Sequence, residues 1–193
     1  MSDADRAKWD ARYTAGSYAD RTHPTAWLAE RLAELPRGKA LDIACGAGRN
    51  ALYLAAAGYQ VDAIDISPVG LARGAGLDHA AGVNWIEADL DSTPLPDTQY
   101  DLIVWVRYVN RPLFEMLESR LKPGGYLLVE QHLRVEQEVI GPSDPAYRLA
   151  PNELLKAAAR LRVLAYQEGL MTDPDGRQVA LTRLLACRPP AVF

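Results

Sequence analysis

One local pattern constrains this chain more than any other. A short apolar run, Ala40 to Ala44, passes within two residues into a pair of glycines, Gly46 and Gly48, and then into helical spacing from Arg49 to Ala57. A strand that turns on glycines straight into a helix brings backbone N–H groups and the helix N-terminus to one point, a ready ligand cradle. The same alternation continues downstream. Tyr59 to Ile64 is a β-rich run, and Ser67-Pro68 caps a helix that reaches His79. Val83 to Glu87 and Tyr100 to Val106 are the next two strands, separated by a proline-bearing loop from Asp91 to Thr98. A helix from Pro112 to Leu121 stops at Lys122-Pro-Gly-Gly125, and Tyr126 to Gln131 is the fifth strand. Strands alternating with helices predict an α/β fold, an open parallel sheet with right-handed crossovers.

Both ends of the chain depart from that alternation. Ser2 or Asp3 caps a first helix to Arg12, with Trp9 and Tyr13 on one face, and Pro24 opens a second helix that ends near Pro36-Arg37-Gly38. After a long connection from Val135 to Ala150, a helix spans Asn152 to Leu161. Arg162 to Leu170 and Gln178 to Cys187 then face each other across Asp173-Pro-Asp-Gly176, a hairpin that adds one antiparallel strand. With 193 residues, the expectation is one domain, a helical extension over 1–37 and an α/β core over 38–193.

Composition narrows the function classes. The formal net charge is −4, a poor match for a nucleic-acid-binding face, and the longest apolar run is too short for a membrane span. Met1 to Arg6 holds no apolar run and predicts no signal peptide. Cys45 and Cys187 stand far apart, so neither a disulfide framework nor a CxxC zinc site can be built, and a cytoplasmic setting is expected.

Taken alone, Gly46-Ala-Gly48-Arg-Asn-Ala51 is a G-x-G-x-x-A turn shared with dinucleotide-binding folds. Asp42 discriminates. A pyrophosphate seated at this turn would meet a like charge, whereas S-adenosylmethionine brings a sulfonium and an ammonium. Asp65 ends the second strand, where an acid accepts hydrogen bonds from both ribose hydroxyls, in an NAD site as in this one. Asp89 follows the third strand, where a carboxylate can accept the exocyclic amine of adenine. Three carboxylates at successive strand ends line one crevice.

Five segments in this order and spacing resemble the class I S-adenosylmethionine-dependent methyltransferases: Leu41-Asp-Ile-Ala-Cys-Gly-Ala-Gly-Arg-Asn50, Val61-Asp-Ala-Ile-Asp65, Ala88-Asp-Leu90, Tyr100-Asp-Leu-Ile-Val104 and Leu121-Lys-Pro-Gly-Gly125. The continuation Arg49-Asn-Ala-Leu-Tyr-Leu-Ala55 and the end of the chain from Gly169 to Leu184 are similar to the tellurite-resistance and thiopurine methyltransferase-like branch. Where the tellurite-resistance type carries a His-Arg pair before its hairpin turn, this chain has Leu170-Met171, which counts against tellurite as substrate. The resemblance implies a Rossmann-like doubly wound sheet in the order 3-2-1-4-5-7-6 with strand seven antiparallel. It also implies a donor site built from Asp42, Ala44, Gly46, Gly48, Asn50, Asp65, Ile66, Asp89, Leu90, Trp105 and Val106, with Trp9 and Tyr13 folding over it as a lid.

Methyl transfer from an activated sulfonium needs positioning more than acid–base chemistry, so the absence of a recognisable triad or metal cluster in the sequence fits it. Acceptor-facing candidates are Tyr108 and Arg111 after the fourth strand and His132 after the fifth. Arg107, Arg111 and Arg148 predict an anionic small-molecule acceptor. Each assignment has a plainer counterpart: Trp105 as core, Trp9 and Tyr13 as helix packing, the arginines as partners of nearby acids, His132 as a surface polar group. Two rival functions remain open on sequence: an NAD-dependent oxidoreductase, which leaves Asp42 unexplained, and a non-catalytic S-adenosylmethionine-binding protein. The chain is expected as a monomer or homodimer without nucleic-acid or membrane partners.

Overall fold

The computed structural model of the protein describes residues 3–173 and 175–190. Seven strands form one sheet: β1 (Lys39–Ile43), β2 (Gln60–Asp65), β3 (Val83–Glu87), β4 (Tyr100–Val106), β5 (Leu121–His132), β6 (Arg162–Thr172) and β7 (Gln178–Cys187). Their order is β3-β2-β1-β4-β5-β7-β6, with β1 to β5 parallel and β7 antiparallel to both neighbours. This is the topology expected from the sequence, including the inserted terminal strand.

Helices α1 (Asp3–Thr14) and α2 (Ala26–Arg31) precede the sheet. Helices α3 (Arg49–Ala56), α4 (Pro68–Ala75), α5 (Leu113–Arg120) and α6 (Glu153–Ala157) connect its strands. Each face of the sheet is covered. Ala40, Val61, Ala63, Leu102, Val104 and Leu128 pack under α2 and α3, while Leu41, Ile43, Ile103, Trp105, Leu127 and Val129 pack under α5 and α6. Strand β4 feeds both cores alternately, which is why its sequence is apolar without a period of two.

Several boundaries move. Helix α4 ends at Ala75, short of His79, at the glycines Gly74 and Gly76. The Lys122-Pro-Gly-Gly125 signal does not precede β5 but lies inside it. Gly124 has φ +80° and its N–H donates to the Arg188 carbonyl, and the pairing with β4 shifts register between Tyr100 and Leu102. Helix α6 covers only five residues, because Asn152 enters it in the left-handed conformation and Leu161 must turn back toward the core. Two sequence signals, Ser2 as a cap and Pro174 in the hairpin turn, lie outside the described residues.

Candidate active site at the strand ends

Strand order reverses between β1 and β4, and open α/β sheets bind ligands at that crevice. The backbone is strained there. Ala44 after β1 and Arg107 after β4 both take positive φ, 53° and 56°, which an L side chain disfavours by about 1–2 kcal/mol each. Such strain concentrates where neighbouring structure fixes a functional geometry.

The glycine turn follows. Gly46 and Gly48 have φ of 58° and 76°. A side chain on Gly48 would strike the Trp85 ring at 2.3 Å, and one on Gly46 would strike the Tyr13 hydroxyl at 2.2 Å. Gly48 therefore answers both to its conformation and to Trp85 on β3. Gly48→Ala is expected to lose roughly 2–5 kcal/mol, left-handed strain plus overpacking. Gly58→Ala, at φ +89° with nothing within 4 Å, isolates the strain and should lose only about 1–2 kcal/mol. Urea unfolding of both variants checks the difference.

Asp42 and Asp65 lie on the same face of the sheet, the α3 side, by strand alternation with Ala40, Val61 and Ala63. Asp42 is 1% exposed, and its Oδ2 has no hydrogen-bond partner among the described residues. Burial pushes its carboxyl up to about 7, against the pull of Arg49 and the Ala51 N–H. Asp65 accepts the Gly46 N–H at 2.8 Å and the Ser67 N–H at 2.9 Å, so one carboxylate fixes both the glycine turn and the start of α4. Burial raises its pKa above the ordinary range, although these N–H groups oppose the shift. Asp89 caps the turn after β3 by accepting the Asp91 N–H at 2.9 Å. The three acids thus stand at the C-terminal ends of three adjacent parallel strands, with Ile66, Leu90 and Val106 buried beside them.

Helix α1 covers this hollow. Its Tyr13 lies over Gly46 and Gly70, and Trp9, Tyr13 and Tyr18 form an aromatic trio with centroids 6.3 to 6.4 Å apart. None of the residues of α1 is fully buried. Polar contacts fasten it instead: Ser67 Oγ donates to Asp10, Arg6 pairs with Glu87, and Arg73 donates to the Ser17 carbonyl.

Other sequence assignments land elsewhere. Trp105 points to the opposite face from Asp42, fully buried and packed at a 53° tilt against Phe114 with ring centroids 4.5 Å apart, so it is a core residue with no face toward the crevice. The Asn50 amide oxygen accepts the Thr25 N–H at 2.9 Å and ties α2 to α3. Tyr108 donates to Asp91 at 3.0 Å and accepts from Asn110. Arg111 pairs with Glu153 and with the carbonyls of Ala146 and Arg148. His132 is buried next to Gly141 and Arg148. Burial, with Arg107 and Arg148 nearby, pulls its pKa down to about 3, too weak a base to take an acceptor's proton near neutral pH. Tyr108, Arg111 and His132 thus serve three separate sets of contacts instead of converging.

A charged cluster, of which the sequence reading singled out only Arg107, lies beyond the glycine turn. Glu130, fully buried, accepts from Arg107 Nε at 3.2 Å and from Arg183 Nε at 2.9 Å, and Arg107 also grips Asp173 with both terminal nitrogens. Arg49 projects into the same region with only the His23 carbonyl, at 3.5 Å, as a partner among the described residues. A glutamate and an arginine inside otherwise apolar strands were the available signal.

Comparison with known proteins agrees with this architecture. Residues 40–125 match a family described as a methyltransferase domain. The chain is 31% identical over 169 residues to hemagglutinin 1 of Eikenella corrodens, covering 78% of this chain and 55% of that protein. It is 26% identical over 156 residues to a probable S-adenosyl-L-methionine-dependent methyltransferase, TehB, of Haemophilus influenzae strain 10810, covering 74% of this chain and 54% of that protein. The chain spans about half the length of the curated relatives it matches. Among solved structures, TehB from Haemophilus influenzae superposes with a TM-score of 0.73 at 22% identity, over 90% of this chain and 66% of that one. A structure from the conversion of a disulfide bond into a thioacetal group during echinomycin biosynthesis superposes at 0.72 and 20% identity, over 95% of this chain and 92% of that one. The domain match, the sheet order and the acid-bordered glycine turn are those of the class I S-adenosylmethionine-dependent methyltransferase fold, and the chain is similar to its TehB members.

Proposed function

We propose that this protein transfers a methyl group from S-adenosylmethionine to a small-molecule acceptor. The observation that carries the reading is Asp42, a buried carboxylate with an unpartnered oxygen beside a glycine turn, which suits a cationic ligand and opposes a pyrophosphate. When bound, the donor supplies a methyl on a positively charged sulfur, open to in-line displacement by an acceptor lone pair.

The chain's own residues bind and orient. Asp65, already aligned by two backbone N–H groups, keeps lone pairs for the ribose hydroxyls. Asp89 stands at the adenine end. Tyr13 and Trp9 close over the glycine turn, and α1, which carries no fully buried residue, is the element that opens to admit the donor and then excludes water. The acceptor meets the methyl beyond Ala44 and Arg107, in a narrow cleft bordered by Arg21, His23, Arg49 and Asp173.

The test is release of S-adenosylhomocysteine on incubation with labelled donor and a panel of thiols, amines, carboxylates and oxyanions. Turnover with at least one small acceptor is expected, and donor consumption that no member of the panel accelerates counts against it. Asp65→Ala should weaken S-adenosylhomocysteine binding by roughly 1–3 kcal/mol through lost charge-assisted hydrogen bonds. Unchanged affinity in a folded variant removes the ribose assignment.

A further inference from the structure

We propose that β6 is the contact strand of a homodimer: two copies of this chain pair antiparallel about a two-fold axis at Gln167, joining their sheets edge to edge. The proposal depends on neither the donor nor the acceptor.

The two edges of the sheet are built differently. β3 is an edge of five residues, its end carries the exposed Glu87, and α1 brings Arg6 to pair with that acid. A short, charged edge is one way in which sheets discourage further pairing. β6 is the opposite edge and runs for eleven residues. Its one strand neighbour is β7, and among the described residues its backbone forms no hydrogen bond to any other segment. It holds neither lysine nor proline. Six large apolar side chains are exposed among the described residues, and three of them stand on this strand: Val163, Leu164 and Leu170, at 37%, 42% and 53% exposure. A register shift between Val163 and Ala165 distorts the start of the strand, but Ala165 to Thr172 pair with β7 residue for residue. A free ladder of N–H and C=O groups bearing apolar side chains is a template for another strand.

The strand's own sequence selects a second copy as that strand, and selects a register. Opposed residues in an antiparallel pair share a face of the sheet, so a two-fold axis must pass through a residue and not between two. With the axis at Gln167, the exposed Leu164 of each copy meets the exposed Leu170 of the other, Tyr166 meets Glu168, and no charge meets its like. Moving the axis to Glu168 sets that acid against itself. Moving it to Tyr166 sets Leu164 against Glu168 and Leu170 against Arg162. A foreign strand would require no such self-complementarity.

Sedimentation of the full chain tests the pairing. Wild type at about 100 μM should run as a dimer, its interface at the small end of the specific range. Leu164→Glu and Leu170→Lys each alter two contacts by symmetry, and each should weaken dimerisation roughly tenfold or more. The double variant sets the new acid of one copy against the new base of the other and should recover most of the affinity. The two positions lie about 20 Å apart along one strand, so that recovery cannot arise within a single copy. Both side chains are exposed, and an unchanged far-UV spectrum shows that each variant folds. Gln167→Lys, exposed at the axis, is a second probe and should also weaken the dimer. A wild type that stays monomeric, single variants that dimerise as wild type does, or a double variant without recovery overturns the proposal.

Discussion

Glu130→Ala is expected to destabilise the fold by about 3–5 kcal/mol, because it leaves Arg183 and one arm of Arg107 charged and uncompensated inside the sheet. The carboxylate is fully buried, pairs across β5 and β7 with Arg183, and receives Arg107 from the end of β4. Asp173, on the far side of Arg107, couples the hairpin to the same cluster. The loss should persist at high salt, since buried pairs are little screened. Asp97→Ala is the matched control. Asp97 also pairs with an arginine, Arg120, but it is fully exposed, and exposed pairs contribute about 0–1 kcal/mol. Urea unfolding of both variants at low and high salt checks the contrast. A Glu130→Ala loss no larger than that of Asp97→Ala would show that the cluster contributes nothing to the fold.

Asp42→Asn is expected to raise stability above neutral pH and to weaken donor binding. The sign follows from the raised pKa. Asp42 titrates near 7 in the folded chain, against an ordinary value of 3.8, so between these limits the folded state holds a proton that the unfolded state has released. Stability therefore falls as pH climbs from about 4 to about 7, by up to about 4 kcal/mol from this group. Asp65 pulls in the same direction, while Asp62, Asp173 and Glu153, whose pKa values are lowered, contribute stability that is lost as pH falls through the acid range. Subtracting the stability curve of Asp42→Asn from that of wild type isolates Asp42. A ligand that brings an ammonium to Asp42 binds the ionised form, so wild-type affinity for S-adenosylhomocysteine should drop about tenfold from pH 8 to pH 6. The asparagine variant should lack that slope and bind more weakly throughout. Equal slopes in the two proteins would place the titrating group elsewhere.

Much of this was legible in the sequence because it depends on local pattern. Gly46, Gly48 and the Ser67-Pro68 cap stand in single short segments, and the apolar run of β4 announces a strand covered on both faces. The sheet order came from resemblance, since spacing alone does not order strands. What stayed hidden depends on distant pairing. Trp105 reads as a strand-end aromatic near the crevice, but only alternation along β4 shows that it faces the α5 side. Arg107 and Arg111 read as anion-binding residues until Asp173, Glu130 and Glu153 arrive from later in the chain to occupy them. Arg49 is the opposite case: it has no acidic partner among the described residues, which no motif displays.

The account rests on three acids at adjacent strand tips selecting a cationic adenosyl donor over a dinucleotide. Its most direct test is a pair of calorimetric titrations of the wild-type chain at pH 8, one with S-adenosylhomocysteine and one with NAD. One-to-one binding of S-adenosylhomocysteine with no heat from NAD is the predicted result. Saturable NAD binding without S-adenosylhomocysteine binding contradicts it.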